Sequence, residues 1–317
     1  MSLAAVILAA GEGKRLHTRR AKVLHEVGGR PLIDHVLASV RPLRPDPLVV
    51  VVGHLREQVE AHLAGRVQLA LQEPPRGTGD AVARALPLLP KRGDVLVVSG
   101  DTPLLTTATL QALVELRRER NGALALATAM LADPAGYGRV VRAHGAVAAI
   151  VEARDASAEQ REIREVNAGT YAFDLEALST ALAQVAPDND QGEYYLTDAV
   201  KVLASAGRRV EAMVLADPAE MAGVNTRADL AEVGRLLNAR VIRRLLDAGV
   251  TVVDPATTWV DADCEVGADT VIEPGVHLRR GCVIGRACRL GAHAVLEHAT
   301  LPDGGTVPPL SHRRNDP

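Results

Sequence analysis

From Met1 to about Ala248, short apolar runs alternate with segments whose apolar residues recur every three or four positions. The runs predict strands at Ala4 to Ala9, Leu48 to Val52, Val67 to Leu71, Val95 to Val98, Ala123 to Ala129 and Ala168 to Phe173. The recurring intervals predict helices over Pro31 to Arg41, Leu55 to Leu63, Thr78 to Leu86, Thr107 to Arg120, Leu175 to Gln184 and Leu196 to Ala206, with Pro31 suited to a first turn. Strands and helices alternating in this way predict an α/β domain with a mainly parallel sheet over residues 1–226. A long helix, roughly Arg227 to Asp247, is expected to lead out of it as a linker spanning 227–248.

After Gly249 the period changes. Val260, Val266, Ile272, Leu278, Ile284, Leu290 and Leu296 stand six residues apart without a miss, the repeat of a short left-handed parallel β-helix, here assigned to residues 249–317. Four places after each of them come Cys264, Thr270, Val276, Cys282, Cys288, Ala294 and Thr300, small or compact side chains expected at a second inward position. All three cysteines fall in that series, so they read as buried thiols rather than as a metal site or disulfide. Seven hexads make little more than two coils, and so small a core is expected to self-associate, as a homotrimer. His277, His293 and His298 are expected at exposed or loop positions, and the polar stretch Pro308 to Arg314 reads as a break in the repeat and a natural stop.

Composition narrows the classes of function. Of the 317 residues 47% are hydrophobic and 24% charged, which suits a globular, cytoplasmic protein, and no apolar run is long enough to span a membrane. The net charge of -3 offers no electrostatic footprint for nucleic acid, and at 2% aromatic residues there are few platforms on which bases could stack. Lysine is scarce: Lys14, Lys22, Lys91 and Lys201 are the only ones, so two of the four lie in or just after the first glycine loop.

That loop, Leu8-Ala9-Ala10-Gly11-Glu12-Gly13-Lys14-Arg15-Leu16, leaves the first strand with glycines that let backbone N–H groups approach a phosphate closely. It has neither Rossmann nor P-loop spacing, and no acidic residue closes the second strand to hold a ribose, so a dinucleotide is not the expected ligand. A second glycine turn, Gln72 to Ala81, and an aspartate after a third strand, in Val98-Ser99-Gly100-Asp101-Thr102-Pro103, are expected at the same sheet edge. An Asp there is suited to holding Mg²⁺ against phosphates. Taken alone, the first loop reads more readily as a tight turn, Asp101 as a turn cap and Asn225 as a helix cap.

These segments, together with Lys22-Val23-Leu24-His25, Gly136-Tyr137-Gly138-Arg139-Val140, Ile150-Val151-Glu152, Val166-Asn167-Ala168-Gly169, Gln191-Gly192-Glu193-Tyr194-Tyr195-Leu196-Thr197-Asp198 and Gly223-Val224-Asn225, closely resemble the bacterial N-acetylglucosamine-1-phosphate uridylyltransferases, the GlmU family. The resemblance implies a Rossmann-like nucleotidyltransferase domain joining UTP and N-acetylglucosamine-1-phosphate into UDP-N-acetylglucosamine and pyrophosphate. It implies that Leu8, Ala9, Ala10, Gly11, Gln72, Gly77 and Thr78 hold the nucleotide, with Ser99 and Gly100 beside them. Arg15 and Lys22 would meet the triphosphate, Asp101 and Asn225 would be Mg²⁺ ligands, and Gly138, Glu152, Asn167, Tyr195 and Thr197 would contact the amino sugar. Arg15, Lys22 and Asp101 are the implied catalytic residues.

Two positions depart from the family pattern: Ala21 stands where a proline usually precedes Lys22, and Asp80 replaces the histidine of Gly-Thr-Gly-His-Ala. Neither is expected to touch a ligand-binding residue. The coils that carry the family's acetyltransferase site do not follow in this sequence, so that activity is expected to be absent. The competing readings are another sugar-1-phosphate nucleotidyltransferase, and a non-catalytic sugar-nucleotide-binding subunit whose β-helix serves assembly.

Overall fold

A computed structural model describes residues 2–134 and 136–314. It divides into two units, residues 1–24 with 32–226, and residues 25–31 with 227–317. In chain order the strands up to residue 226 are β1 (Leu3–Ala9), β2 (Glu26–Val27), β3 (Arg30–Pro31), β4 (Leu48–Val52), β5 (Gln68–Leu71), β6 (Asp94–Ser99), β7 (Leu124–Met130), β8 (Arg139–Ala143), β9 (Ala146–Val151), β10 (Glu165–Asp174) and β11 (Val210–Val214). The helices are α1 (Leu32–Val40), α2 (Arg56–Leu63), α3 (Thr78–Ala85), α4 (Thr107–Glu119), α5 (Ala158–Arg161), α6 (Leu175–Leu182), α7 (Leu196–Ser205) and α8 (Arg227–Asp247). Pro31 lies in β3, one residue before the helix it was expected to open.

The first unit is built on a sheet ordered β11-β7-β10-β6-β1-β4-β5, from which the β8/β9 hairpin branches at β10. All its main pairings are parallel except those of β10, which runs against both β6 and β7. Strands β1, β4 and β6 are almost wholly buried because helices cover both faces, which is why they read as unbroken apolar runs. Successive residues face opposite cores. Ala4, Val6, Val49, Val51, Val95 and Val97 pack with α3, α6 and α7, whereas Ala5, Ile7, Val50, Val52, Leu96 and Val98 pack with α1, α2 and α4. The chain moves outward from β1 through β4 to β5, then returns through α3 on the other face to β6 on the far side of β1. Ligands in open α/β sheets bind at the carboxyl ends of strands where the order reverses in this way.

The second unit carries α8 with the parallel coils, so the helix assigned as a linker groups with the β-helix. Val241, Ile242 and Leu245 join the coil core, and buried Asn238 ties the first coil, donating to the Thr258 carbonyl at 2.8 Å and accepting from the Val260 N–H at 3.0 Å. The fold is a left-handed parallel β-helix. Cys264, Cys282 and Cys288 are buried as expected. Two expectations are corrected. The third coil is one residue short: Ile284 pairs with Leu301, 17 residues on, where Val266 pairs with Ile284, 18 on. Ala299 therefore takes the inward position expected of Thr300, which is exposed. The repeat also continues past Leu296 through buried Leu301 and Val307, and His312–Arg314 pairs with Val295–Glu297, so the coils outnumber the two counted from the hexads. His293 and His298 lie exposed with positive φ, and His277 is half-buried in a strand.

Candidate active site

At the carboxyl ends of β1, β5 and β6 lies a cavity of about 550 Å³. Leu8, Ala9, Ala10, Gly11, Arg15, Lys22, Gln72, Gly77, Thr78, Ser99, Asp101 and Asn225 all line it, so residues more than 200 positions apart meet at one place. Its walls are pressed close. A Cβ added at Gly53 would come within 2.9 Å of Ala10 and of the Gln72 carbonyl, and one at Gly100 within 3.0 Å of the Leu8 carbonyl. Gly100 spends its own N–H on that same Leu8 carbonyl at 2.8 Å, which makes it a packing residue between β1 and β6.

The segment before α7 is zipped onto the turn before α3. Tyr194 donates its N–H to the Arg76 carbonyl and accepts from the Gly79 N–H, both at 2.7 Å, and the Leu196 N–H donates to Thr78 Oγ1 at 3.1 Å. Gly77 has φ of 103°, and a Cβ there would meet the Tyr194 carbonyl at 2.5 Å, so only glycine suits the turn. Thr78 accepts through its oxygen and lines the cavity. Glu193 and Glu12 line the same cavity and were not among the sequence candidates. Glu12 holds the Lys14 ammonium at 2.6 Å, and this contact keeps the Glu12 carboxyl below its ordinary range. Arg15, by contrast, is exposed at the cavity mouth.

Deeper in, the Lys22 ammonium bridges the two oxygen ligands that the sequence implies for a metal. It forms an ion pair with Asp101 Oδ2 and donates to Asn225 Oδ1 at 2.8 Å. A carboxylate and an amide oxygen converging on one cation form the hard, incomplete donor set that Mg²⁺ accepts when phosphate oxygens and water complete its shell. The residues therefore fit the metal. Among the described residues there is no cluster of three or more His, Cys, Asp or Glu that would hold one by itself.

Gly138, Glu152, Asn167 and Thr197 form a second cluster, on the β8/β9 hairpin, β10 and the start of α7. Thr197 donates to Glu152 Oε1 at 2.9 Å, the Asn167 N–H donates to the Gly138 carbonyl at 2.9 Å, and a Cβ on Gly138 would stand 3.5 Å from Glu152 Oε2. Buried Tyr171, which the sequence did not single out, accepts from Asn167 Nδ2 at 2.6 Å and so orients that side chain. Burial pushes its hydroxyl well above the ordinary tyrosine range. A bulge in β10, with Gly169 at φ of 70°, brings this cluster toward Ser99 Oγ in the first cavity, 3.8 Å from a Cβ added at Gly169. Tyr195 stands beside it, its hydroxyl bound by Gln191 at 2.7 Å.

Burial raises the Glu152 carboxyl above its ordinary 4.5, an effect that the Thr197 hydrogen bond only partly offsets. Because the folded value is raised, the stability contribution is full below about 4.5 and is lost as pH rises through the folded value. Glu152→Gln is therefore expected to raise the melting temperature at pH 7 and to lose that advantage toward pH 4. Thermal melts at the two pH values check this, and an equal shift at both would contradict it.

Gln72 is buried and donates through Nε2 to the Gly77 carbonyl at 2.8 Å and to Asp80 Oδ2 at 2.9 Å. Asp80 was expected to touch no ligand-binding residue. The first turn of α3 instead brings its carboxylate onto Gln72, a proximity hidden by the loop between them.

Residues 5–171 match the MobA-like NTP transferase domain, and residues 263–298 the bacterial transferase hexapeptide repeat. The chain is 42% identical over 328 residues to the bifunctional protein GlmU of Enterococcus faecalis, a match covering 98% of this chain and 72% of that protein. The chain belongs to the GlmU family. The bifunctional GlmU proteins of Streptomyces avermitilis and Thermobifida fusca are 48% and 49% identical, and the matches cover 96% and 92% of this chain. The chain spans only 64% and 62% of the length of these two GlmU proteins. A Bacillus anthracis protein assigned as a glucose-1-phosphate thymidylyltransferase has the same fold, with a TM-score of 0.61 over 74% of this chain and 95% of its own at 19% identity.

Proposed function

We propose that this GlmU-family chain is a uridylyltransferase that converts UTP and N-acetylglucosamine-1-phosphate into UDP-N-acetylglucosamine, a cell-wall precursor, and pyrophosphate. The observation that carries this reading is the convergence of Asp101 and Asn225 on one cation in a cavity walled by the glycine loop. Membership of the GlmU family supports the choice of substrates.

A phosphate oxygen of the sugar phosphate attacks the α-phosphorus of UTP in line, the new P–O bond forms, and the bond to the bridging oxygen of pyrophosphate breaks. The nucleophile is already an anion, so no general base is needed, and the chain has to supply alignment and charge balance. Backbone N–H groups of Ala10 and Gly11 seat the phosphates, while Gln72 and Thr78 face the base. Glu152, Asn167 and Thr197 hold the amino sugar. Arg15 and Lys22 offset the charge that gathers on departing pyrophosphate. Mg²⁺ held by Asp101 and Asn225 would supply Lewis-acid neutralisation of the reacting phosphates.

Release of pyrophosphate from UTP and N-acetylglucosamine-1-phosphate, with and without Mg²⁺, tests the reading. Turnover only with the metal is expected. Nucleotide binding without turnover would favour the non-catalytic alternative, and preference for dTTP or another hexose phosphate would change the substrate. A cytoplasmic location is part of this proposal and rests on membership of the GlmU family; no helix among the described residues is long and apolar enough to cross a membrane. The hexapeptide coils, with Trp259 and Val283 left exposed, support assembly as a homotrimer.

A further inference from the structure

We infer that Asp80 is a positioning residue for nucleotide selection, fixing the Gln72 amide so that only its oxygen is offered to the base; this rests on the uridylyltransferase reading above. An amide nitrogen carries two hydrogens, and both on Gln72 Nε2 are taken, one by the Gly77 carbonyl at 2.8 Å and one by Asp80 Oδ2 at 2.9 Å. Both partners are acceptors. A flipped amide would set Oε1 against a carbonyl oxygen and a carboxylate, so the observed orientation is strongly preferred. Asp80 is held in turn by Arg84 Nη2, 3.3 Å from its other oxygen and one turn along α3.

Gln72 Oε1 accepts no hydrogen bond among the described residues, and Gln72 lines the cavity beside Gly77, Thr78 and Ala81. An acceptor facing the middle of a pyrimidine edge receives the N3–H of uracil, but it meets a lone pair at N3 of cytosine. Rejecting the base that leaves a buried polar group unpaired is the stronger form of discrimination. Asp80 thereby turns a side chain able to present either a donor or an acceptor into one that presents an acceptor only.

Asp80→Asn keeps the shape but offers a side chain that can donate as readily as accept, which weakens the lock. The ratio of kcat/KM for UTP to that for CTP, each with N-acetylglucosamine-1-phosphate, is expected to fall about tenfold in this variant. A role in folding or in catalysis at large would lower both values and leave the ratio in place. Asp80→Leu, which can do neither, is the second variant, with UTP and CTP dissociation constants as a second measurement. A ratio unchanged in both folded variants overturns the inference. Failure of the unaltered protein to use UTP at all overturns the function on which it rests, so the two failures are distinct.

Discussion

Lys22→Ala is expected to lower kcat by about 10²- to 10³-fold, the loss typical of removing one preorganised charge from a reacting centre. The Lys22 ammonium is mostly buried and lies between Asp101 and Asn225, on the cavity wall where the α- and β-phosphates would rest. When pyrophosphate leaves, negative charge grows on the bridging oxygen, and an ammonium at the cavity wall stabilises that charge. The effect should fall mainly on kcat, because the charge it answers is largest in the transition state. Lys22→Arg is not expected to restore activity: a guanidinium is a broad planar fork, and the space between two oxygens already in contact with one nitrogen suits a compact ammonium. Steady-state kinetics on variants with an unchanged melting temperature check both statements. An unaltered kcat in folded Lys22→Ala would remove the residue from the chemistry.

Asp101→Asn is expected to lower turnover about 10³-fold at a fixed low Mg²⁺ concentration and to raise the Mg²⁺ concentration for half-maximal rate at least tenfold. The substitution keeps the volume and one oxygen but deletes the only carboxylate of the proposed metal pair, leaving two neutral amide oxygens for a hard dication. Lys22 keeps its hydrogen bond to Asn225 but loses its charge partner, so the fold should lose about 2 kcal/mol. Titrating Mg²⁺ against pyrophosphate release measures the shift, and a titration curve superimposable on that of the unaltered chain would exclude Asp101 as the ligand. In the proposed sugar site, Glu152→Gln should raise KM for the sugar phosphate about tenfold by turning an acceptor-only group partly into a donor, while stabilising the fold at pH 7 as argued above.

The central strands were legible because burial on both faces demands unbroken valine and leucine, and β1, β4 and β6 satisfy it. The β8/β9 hairpin and β11 were not. β8 and β11 carry Arg139, Arg142 and Glu211 among their apolar residues, and β9 is a short alanine-rich run, so no local period marks them as strands. The site divides in the same way. Arg15, Lys22, Asp101 and Asn225 were named from motifs, yet nothing in the motifs said that one ammonium would bridge Asp101 and Asn225. Tyr171, which orients Asn167, carries no signal beyond being an aromatic residue in a strand.

Local spacing determined what each segment of this protein becomes, since strand and hexad periods are written by side chains that must face a core at fixed intervals. Tertiary structure decided which residues meet. The one-residue deletion that hands the inward corner to Ala299, the grip of Asp80 on Gln72, and the cation bridge between Asp101 and Asn225 each depend on how separate turns stack in space, and contacts across such distances leave no period in the chain. The glycine loop from Leu8 to Leu16 could be recognised by itself, but what it faces was fixed by β5, β6 and the segment before α7 folding against it.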